Sequence, residues 1–224
     1  MVSRLENALW GPNPRAAEGE AKEGEQMRSH QSVHPITAIV YSDGRAVDPL
    51  VRMIVNHLKS RGAAVAGFVQ WDEPRYGRRR CDMMLEEMSS GERIGISVDR
   101  GPQARGCMLD VDELSRAESL AVAALDTQPE LLVINKFGKT EAEGGGFRPL
   151  LAEAVSRGVP ILIAVPRRNL DAWRNFAAGL ATDFAIEQLA SDGQELCSQL
   201  GFAALARVRP ASHVLSKTEY GSTR

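Results

Sequence analysis

The sequence predicts an α/β fold, a three-layer sandwich in which a mostly parallel sheet lies between helices and a β-hairpin interrupts the alternation. Three observations carry that expectation. Short, nearly unbroken apolar runs recur at 36–41, 64–71, 130–135 and 160–165, the composition of strands covered on both faces. Segments of helical period separate them. Between residues 72 and 107 the rhythm breaks, and two candidate strands, 81–88 and 92–97, flank the turn residues Ser89-Ser90-Gly91, which read as a hairpin.

The helices follow from spacing and caps. Asp48 and Pro49 read as an N-cap and first-turn pair, with Leu50, Val51, Ile54, Val55 and Leu58 on one face and a stop at Gly62. Asp110 to Glu113 resembles a capping box, and Leu114, Ala117, Ala121 and Ala124 give the next helix an apolar face. A helix over 147–157 ends at Gly158. Helices are also expected over 169–180 and 192–207.

Residues 1–34 have the composition of a disordered extension, with Gly11, Pro12 and Pro14, an acid-and-lysine tract, and Leu5, Leu9 and Trp10 as a small apolar cluster. The α/β domain then spans 35–207, with the hairpin insertion at 72–107, and 208–224 reads as a flexible tail. A net charge of −2 gives no basic field for nucleic acid. The three cysteines, Cys81, Cys107 and Cys197, are too few and too scattered for a disulfide framework and fit a reducing compartment. No apolar run approaches the roughly 18–20 residues that span a bilayer, and no secretory h-region is present. A cytoplasmic location follows as the expectation.

In open parallel sheets, ligands sit beyond the carboxyl ends of the strands. Two loops qualify. Ser42, Asp43, Gly44 and Arg45 follow the first strand, where a glycine-rich phosphate loop would need further glycines, a lysine and a Ser/Thr for Mg²⁺. These are absent, and Pro49 has no N–H to offer. The loop is then either a tight turn or the seat of a small anion held by Arg45 and the turn's N–H groups. The second loop follows Asn135. A strand-end Asp would bind Mg²⁺ there, but Asn135 is neutral and Lys136 cationic, so Mg²⁺ is not expected to bind tightly and no metal-binding residues are assigned. Lys136 and Lys139 either supply the positive charge a metal would bring or are solvated.

Glu141, Glu143 and the run from Gly144 to Gly146 suggest a flexible lid or a phosphate-approach loop. Arg148, in a first helical turn, opposes the macrodipole unless an anion or acid is near. The hairpin region holds Arg75, Arg78, Arg79, Arg80, Arg93, Arg100 and Arg105, whose guanidinium forks suit tetrahedral oxyanions or pair with Asp82, Glu86, Glu87, Glu92 and Asp99. Cys81 and Cys107 bracket it as a thiolate pair for a metal or as buried thiols. No Ser-His-Asp or Cys-His arrangement supports covalent catalysis.

Several motifs occur in order: Ala66-Gly-Phe-Val69, Arg80-Cys-Asp-Met-Met84, Ser90-Gly91, Gly106-Cys-Met-Leu-Asp110, Asn135-Lys-Phe-Gly-Lys139, Glu141-Ala-Glu-Gly144 and Val159-Pro-Ile-Leu162. Over 36–189 the chain resembles an uncharacterised bacterial family encoded beside molybdenum-transport genes. That family is similar to the thermophile-type and cancer-related nucleoside-triphosphatases of the P-loop NTPase superfamily. Their Asp-Glu-x-Gly-x-x-Glu motif falls on Asn135, Lys136, Gly138 and Glu141, two of which depart, and their Walker A falls on 42–51 and is not kept. The resemblance implies a P-loop-NTPase-like sandwich and a link to molybdenum.

The first reading is a degenerate P-loop protein that binds a small oxyanion such as molybdate or tungstate, or a nucleotide, without efficient hydrolysis. Arg45, Arg80, Lys136, Lys139 and Arg148 would donate charge, and Ser42, Asp43, Gly44, Asn135 and Gly144 would line the site. A second reading is a divergent nucleoside triphosphatase in which Lys136 replaces the loop lysine and Glu141 positions water. A third is a scaffold or chaperone for metal-cofactor assembly. Expected partners are a small anion and molybdenum-transport or cofactor-assembly proteins, and an oligomer is compatible with each.

Overall fold

A computed structural model of the protein describes residues 34–74, 81–98 and 108–205. Strand β1 (Ile36–Tyr41) leads into α1 (Gly44–Ser60), and β2 (Val65–Pro74) follows. Then come β3 (Cys81–Glu87), β4 (Arg93–Gly95), β5 (Ser97–Val98) and β6 (Met108–Leu109). The alternation resumes with α2 (Val111–Leu125), β7 (Leu131–Asn135), α3 (Lys139–Ala142), α4 (Arg148–Ser156) and β8 (Ile161–Pro166). Last are α5 (Leu170–Ala177), β9 (Ala181–Ala185) and α6 (Gly193–Gln199).

Seven strands form one sheet in the order β4-β3-β2-β7-β8-β1-β9, and β5 and β6 pair separately. From β2 to β9 all neighbours are parallel, while β3 and β4 add an antiparallel hairpin at one edge. Alternation along the strands divides the core. On one face Ile36, Ala38, Phe68, Leu132, Ile134, Ile161 and Ile163 pack against α2, α4 and α5. On the other Ile39, Val65, Val69, Leu131, Val133 and Leu162 pack against α1 and α6. The expected α/β three-layer sandwich with its hairpin is thus what the chain forms.

Some boundaries differ. Helix α1 begins at Gly44, earlier than the Asp48-Pro49 signal placed it, because Asp43 is the N-cap and accepts the Arg45 N–H at 3.0 Å. Asp48 therefore lies inside the helix. Pro49 is tolerated there because the bond it forgoes is one to the carbonyl of the exposed Arg45 near the helix start. The expected helix over 169–180 is shorter, and β9 follows it as an edge strand beside β1. Helix α6 stops at Gln199, far short of 207, since Gly201 turns with φ +84°. No helix among the described residues is long and apolar enough to cross a membrane.

Cys197 is fully buried in α6, and burial, reinforced by the charge of Asp192, pushes its thiol up to about 11. Because the thiolate is the reactive form, Cys197 is expected to resist alkylation at pH 8 in the native protein and to react fully once unfolded. Peptide mass spectrometry reads both states.

Candidate functional site

Parallel strands deliver their carboxyl ends to one side of the sheet, and the order of these strands sets β1, β8 and β7 side by side there. Tyr41 lies opposite Pro166, and Asn135 opposite Ala164. Beyond Tyr41, Ser42 Oγ accepts a hydrogen bond from Arg167 Nε at 3.3 Å. Ser42, Pro166, Arg167 and Arg168 line a depression of about 320 Å³. A single 3₁₀ turn, Arg167–Asn169, carries the two arginines. Asn169 Nδ2 donates to the Phe137 carbonyl at 3.0 Å, tying the end of β8 to the loop after β7.

A polar contact joins the end of β7 to the first turns of α1. Asn135 is 2 % exposed, and its Nδ2 donates to Asp48 Oδ1 at 2.8 Å, while its Oδ1 has no partner among the described residues. Tyr41, also buried, has its phenol pushed well above the ordinary value by burial and then by the charge of Asp48, with Arg168 opposing. Asp48 and Arg168 therefore both lie within electrostatic reach of the Tyr41 phenol. Asp48 directs a carboxylate oxygen at the Asn135 amide.

Most cations of the described residues have an identifiable partner, Lys59 donating to the Met88 carbonyl. Arg45 pairs with Asp43 at 3.5 Å and Lys139 with Glu143 at 3.6 Å, all four groups being exposed. Arg52 and Arg93 both reach Glu86 and flank the Trp71 ring. Arg116 serves Glu92 and Glu113, Arg157 serves Asp126 and Glu153, and Arg174 serves Asp183. Arg148 lies over the Phe176 ring, 4.4 Å from its centroid, which accounts for a cation at that helix start without an anion. Lys136, Arg167 and Arg168 have no carboxylate partner among the described residues. All three sit at the carboxyl ends of β7 and β8.

The residues expected to form one site thus fall into groups. Ser42, Asp43, Gly44 and Arg45 line the first crevice loop, and Asn135 and Lys136 the second. Lys139 is engaged on the surface, and a Cβ placed on Gly144 would stand 3.5 Å from Arg148 Nη1. Arg80 lies outside the described residues, as do Arg75, Arg78, Arg79, Arg100, Arg105 and Cys107. Arg167 and Arg168 went unassigned in the sequence reading, and Asp48 was read there as a helix cap and not as a site residue. The signal for the arginines was present, since Pro166-Arg167-Arg168-Asn169 follows a core strand as the two chosen loops do.

Glu141, the residue a hydrolase would use to orient water, is 4 % exposed with both oxygens occupied: Oε2 accepts the Gly138 N–H at 2.8 Å and Oε1 the Phe147 N–H at 3.1 Å. It braces the loop from Lys136 to Gly146, which Gly145 N–H to Thr140 O at 2.9 Å tightens further. Glu141→Gln would set an amide N–H₂ against one backbone N–H. A loss of roughly 1–3 kcal/mol in urea unfolding is expected, the cost of an unsatisfied buried donor.

Residues 36–192 match a family model described as "Protein of unknown function (DUF2478)". The chain belongs to this family. A further similarity of this DUF2478 chain is to "Molybdenum import ATP-binding protein ModC 2" of Bradyrhizobium diazoefficiens, 32% identical over 153 residues, which are 68% of the chain and 17% of that relative. The chain thus spans about a sixth of the relative's length. Among solved structures, THEP1 from the hyperthermophile Aquifex aeolicus superposes with a TM-score of 0.53 at 18% identity, covering 77% of this chain and 99% of that one. The likeness is one of fold, an α/β sandwich around a mostly parallel sheet.

Proposed function

We propose that this DUF2478 protein binds a small oxyanion, of which molybdate and tungstate are the leading candidates, or the phosphate of a nucleotide, without efficient hydrolysis, and that it serves molybdenum handling in the cytoplasm. The carrying observation is the gathering of Lys136, Arg167 and Arg168, unpaired among the described residues, at the strand ends that face the start of α1. Cations without counter-charges repel one another and favour an anion between them. Guanidinium forks suit tetrahedral oxyanions. The absence of a glycine-rich phosphate loop and of a strand-end acid in the sequence supports binding over turnover. The similarity to a molybdenum import ATP-binding protein supports the metal's oxyanion as ligand and transport or cofactor-assembly proteins as partners.

Thermal unfolding against molybdate, tungstate, sulfate and ATP is the test. Ligand at about 1,000 times Kd adds roughly 4 kcal/mol, a displacement of several degrees. A rise with molybdate or tungstate and none with sulfate is the expected result. No rise with any of the four anions overturns the reading.

A further inference from the structure

We infer that the crevice takes its anion without a divalent cation, Lys136, Arg167 and Arg168 supplying the positive charge that a metal supplies in related folds. This rests on the oxyanion-binding reading above. Mg²⁺ demands near-octahedral oxygen ligation and is held through carboxylates together with substrate phosphates. The residues at this position do not fit that demand. The strand-end residue is Asn135, which is neutral, enclosed, and turns its amide donor toward Asp48 at 2.8 Å. That leaves Oδ1 as a single neutral acceptor. Asp48 has one oxygen committed to the same amide, and no group of three or more His, Cys, Asp or Glu among the described residues forms a metal shell.

The charges near this strand end point the same way. Lys136 is the next residue after Asn135, and Arg168 lies near enough to Tyr41 to oppose the effect of Asp48 on its phenol. A divalent cation set over Asn135 would meet both as like charges. An unchelated oxyanion would meet them as partners, with Ser42 and Arg167 lining a depression together with Arg168. The ligand class is therefore a free tetrahedral oxyanion or a phosphate ester that carries no metal. Transfer of a terminal phosphoryl group leans on metal ions to neutralise developing charge, so the same arrangement accounts for binding without turnover.

Titration calorimetry on the full chain tests this with molybdate, inorganic phosphate and ATP, each in EDTA and again in excess Mg²⁺. The expected result is equal affinity for molybdate or phosphate in both buffers. Lys136→Met and Arg168→Ala should each weaken binding by about tenfold or more, the worth of one charge-assisted hydrogen bond. Arg157→Ala, whose guanidinium serves Asp126 and Glu153, should leave it unchanged. Binding of any of the three only in Mg²⁺ overturns the inference and leaves the anion site standing. No binding in either buffer overturns both. Affinity untouched by Lys136→Met and Arg168→Ala also overturns it, since the charge then comes from elsewhere.

Discussion

Gly67→Ala is expected to leave little folded protein. Gly67 lies in β2 opposite Val133 of β7, with φ +97°, where L side chains are strained. A Cβ placed there would overlap the Val133 carbonyl oxygen and stand 2.9 Å from the Val133 nitrogen and 3.0 Å from Leu132 Cδ1. Two of these obstacles are backbone of a fully buried parallel pair and cannot swing away. Backbone strain of about 1–3 kcal/mol and overpacking of about 1–3 kcal/mol add at one position, against a total stability of about 5–15 kcal/mol. Gly91, with φ +76° and nothing within 4 Å of a Cβ, is the control, because alanine there meets only the backbone cost. Soluble yield and urea midpoint are the readouts. A Gly67→Ala midpoint no lower than that of Gly91→Ala would show that β2 and β7 do not approach as described.

Asn135→Asp should cost roughly 3 kcal/mol or more at neutral pH by raising a carboxyl pKa by a few units. The change replaces the Nδ2 donor that now faces Asp48 Oδ1 at 2.8 Å by a second carboxylate oxygen. Two carboxylates at that separation cannot both ionise, and the pair holds a shared proton with its upper titration displaced upward. The sign follows. A carboxyl whose folded value is raised carries a penalty that grows as pH climbs above the unfolded value near 3.9 and fades as pH falls back through the raised one. The melting deficit of the variant against the native protein should therefore be largest near pH 8 and narrow once pH falls through the raised value toward pH 5. A deficit flat across that range would remove the carboxylate pair as its cause. This variant is also the one in which added Mg²⁺ should raise the melting temperature, since a paired carboxylate site now exists.

The four core strands were legible because each is covered on both faces and reads as an apolar run. Strand β9 was not, since Ala181-Thr-Asp-Phe-Ala185 holds one large apolar residue and owes its strand form to pairing with β1. Helix α6 was overextended because Leu196 and Leu200 kept the helical spacing while Gly201, the stop, sat beside them. For the crevice, the loops after β1 and β7 were legible as strand ends, and the same rule reaches Arg167 and Arg168. The contact of Asp48 with Asn135 was not legible, because it joins residues 87 positions apart. Arg148 looked like half of an anion site only because the ring beneath it, Phe176, comes from α5.

Strand β9 closes one margin of the sheet, with β1 as its sole neighbour among the described residues. A margin of this kind presents a row of backbone donors and acceptors on which a strand of another molecule can build. Asp183 stands in the middle of those five residues, accepting from Trp173 Nε1 and Arg174 Nε at 3.0 Å each. A charge fixed there sets a desolvation penalty against any apolar strand laid alongside. Removing it, as in Asp183→Val, would turn a short guarded border into a growth point for self-association.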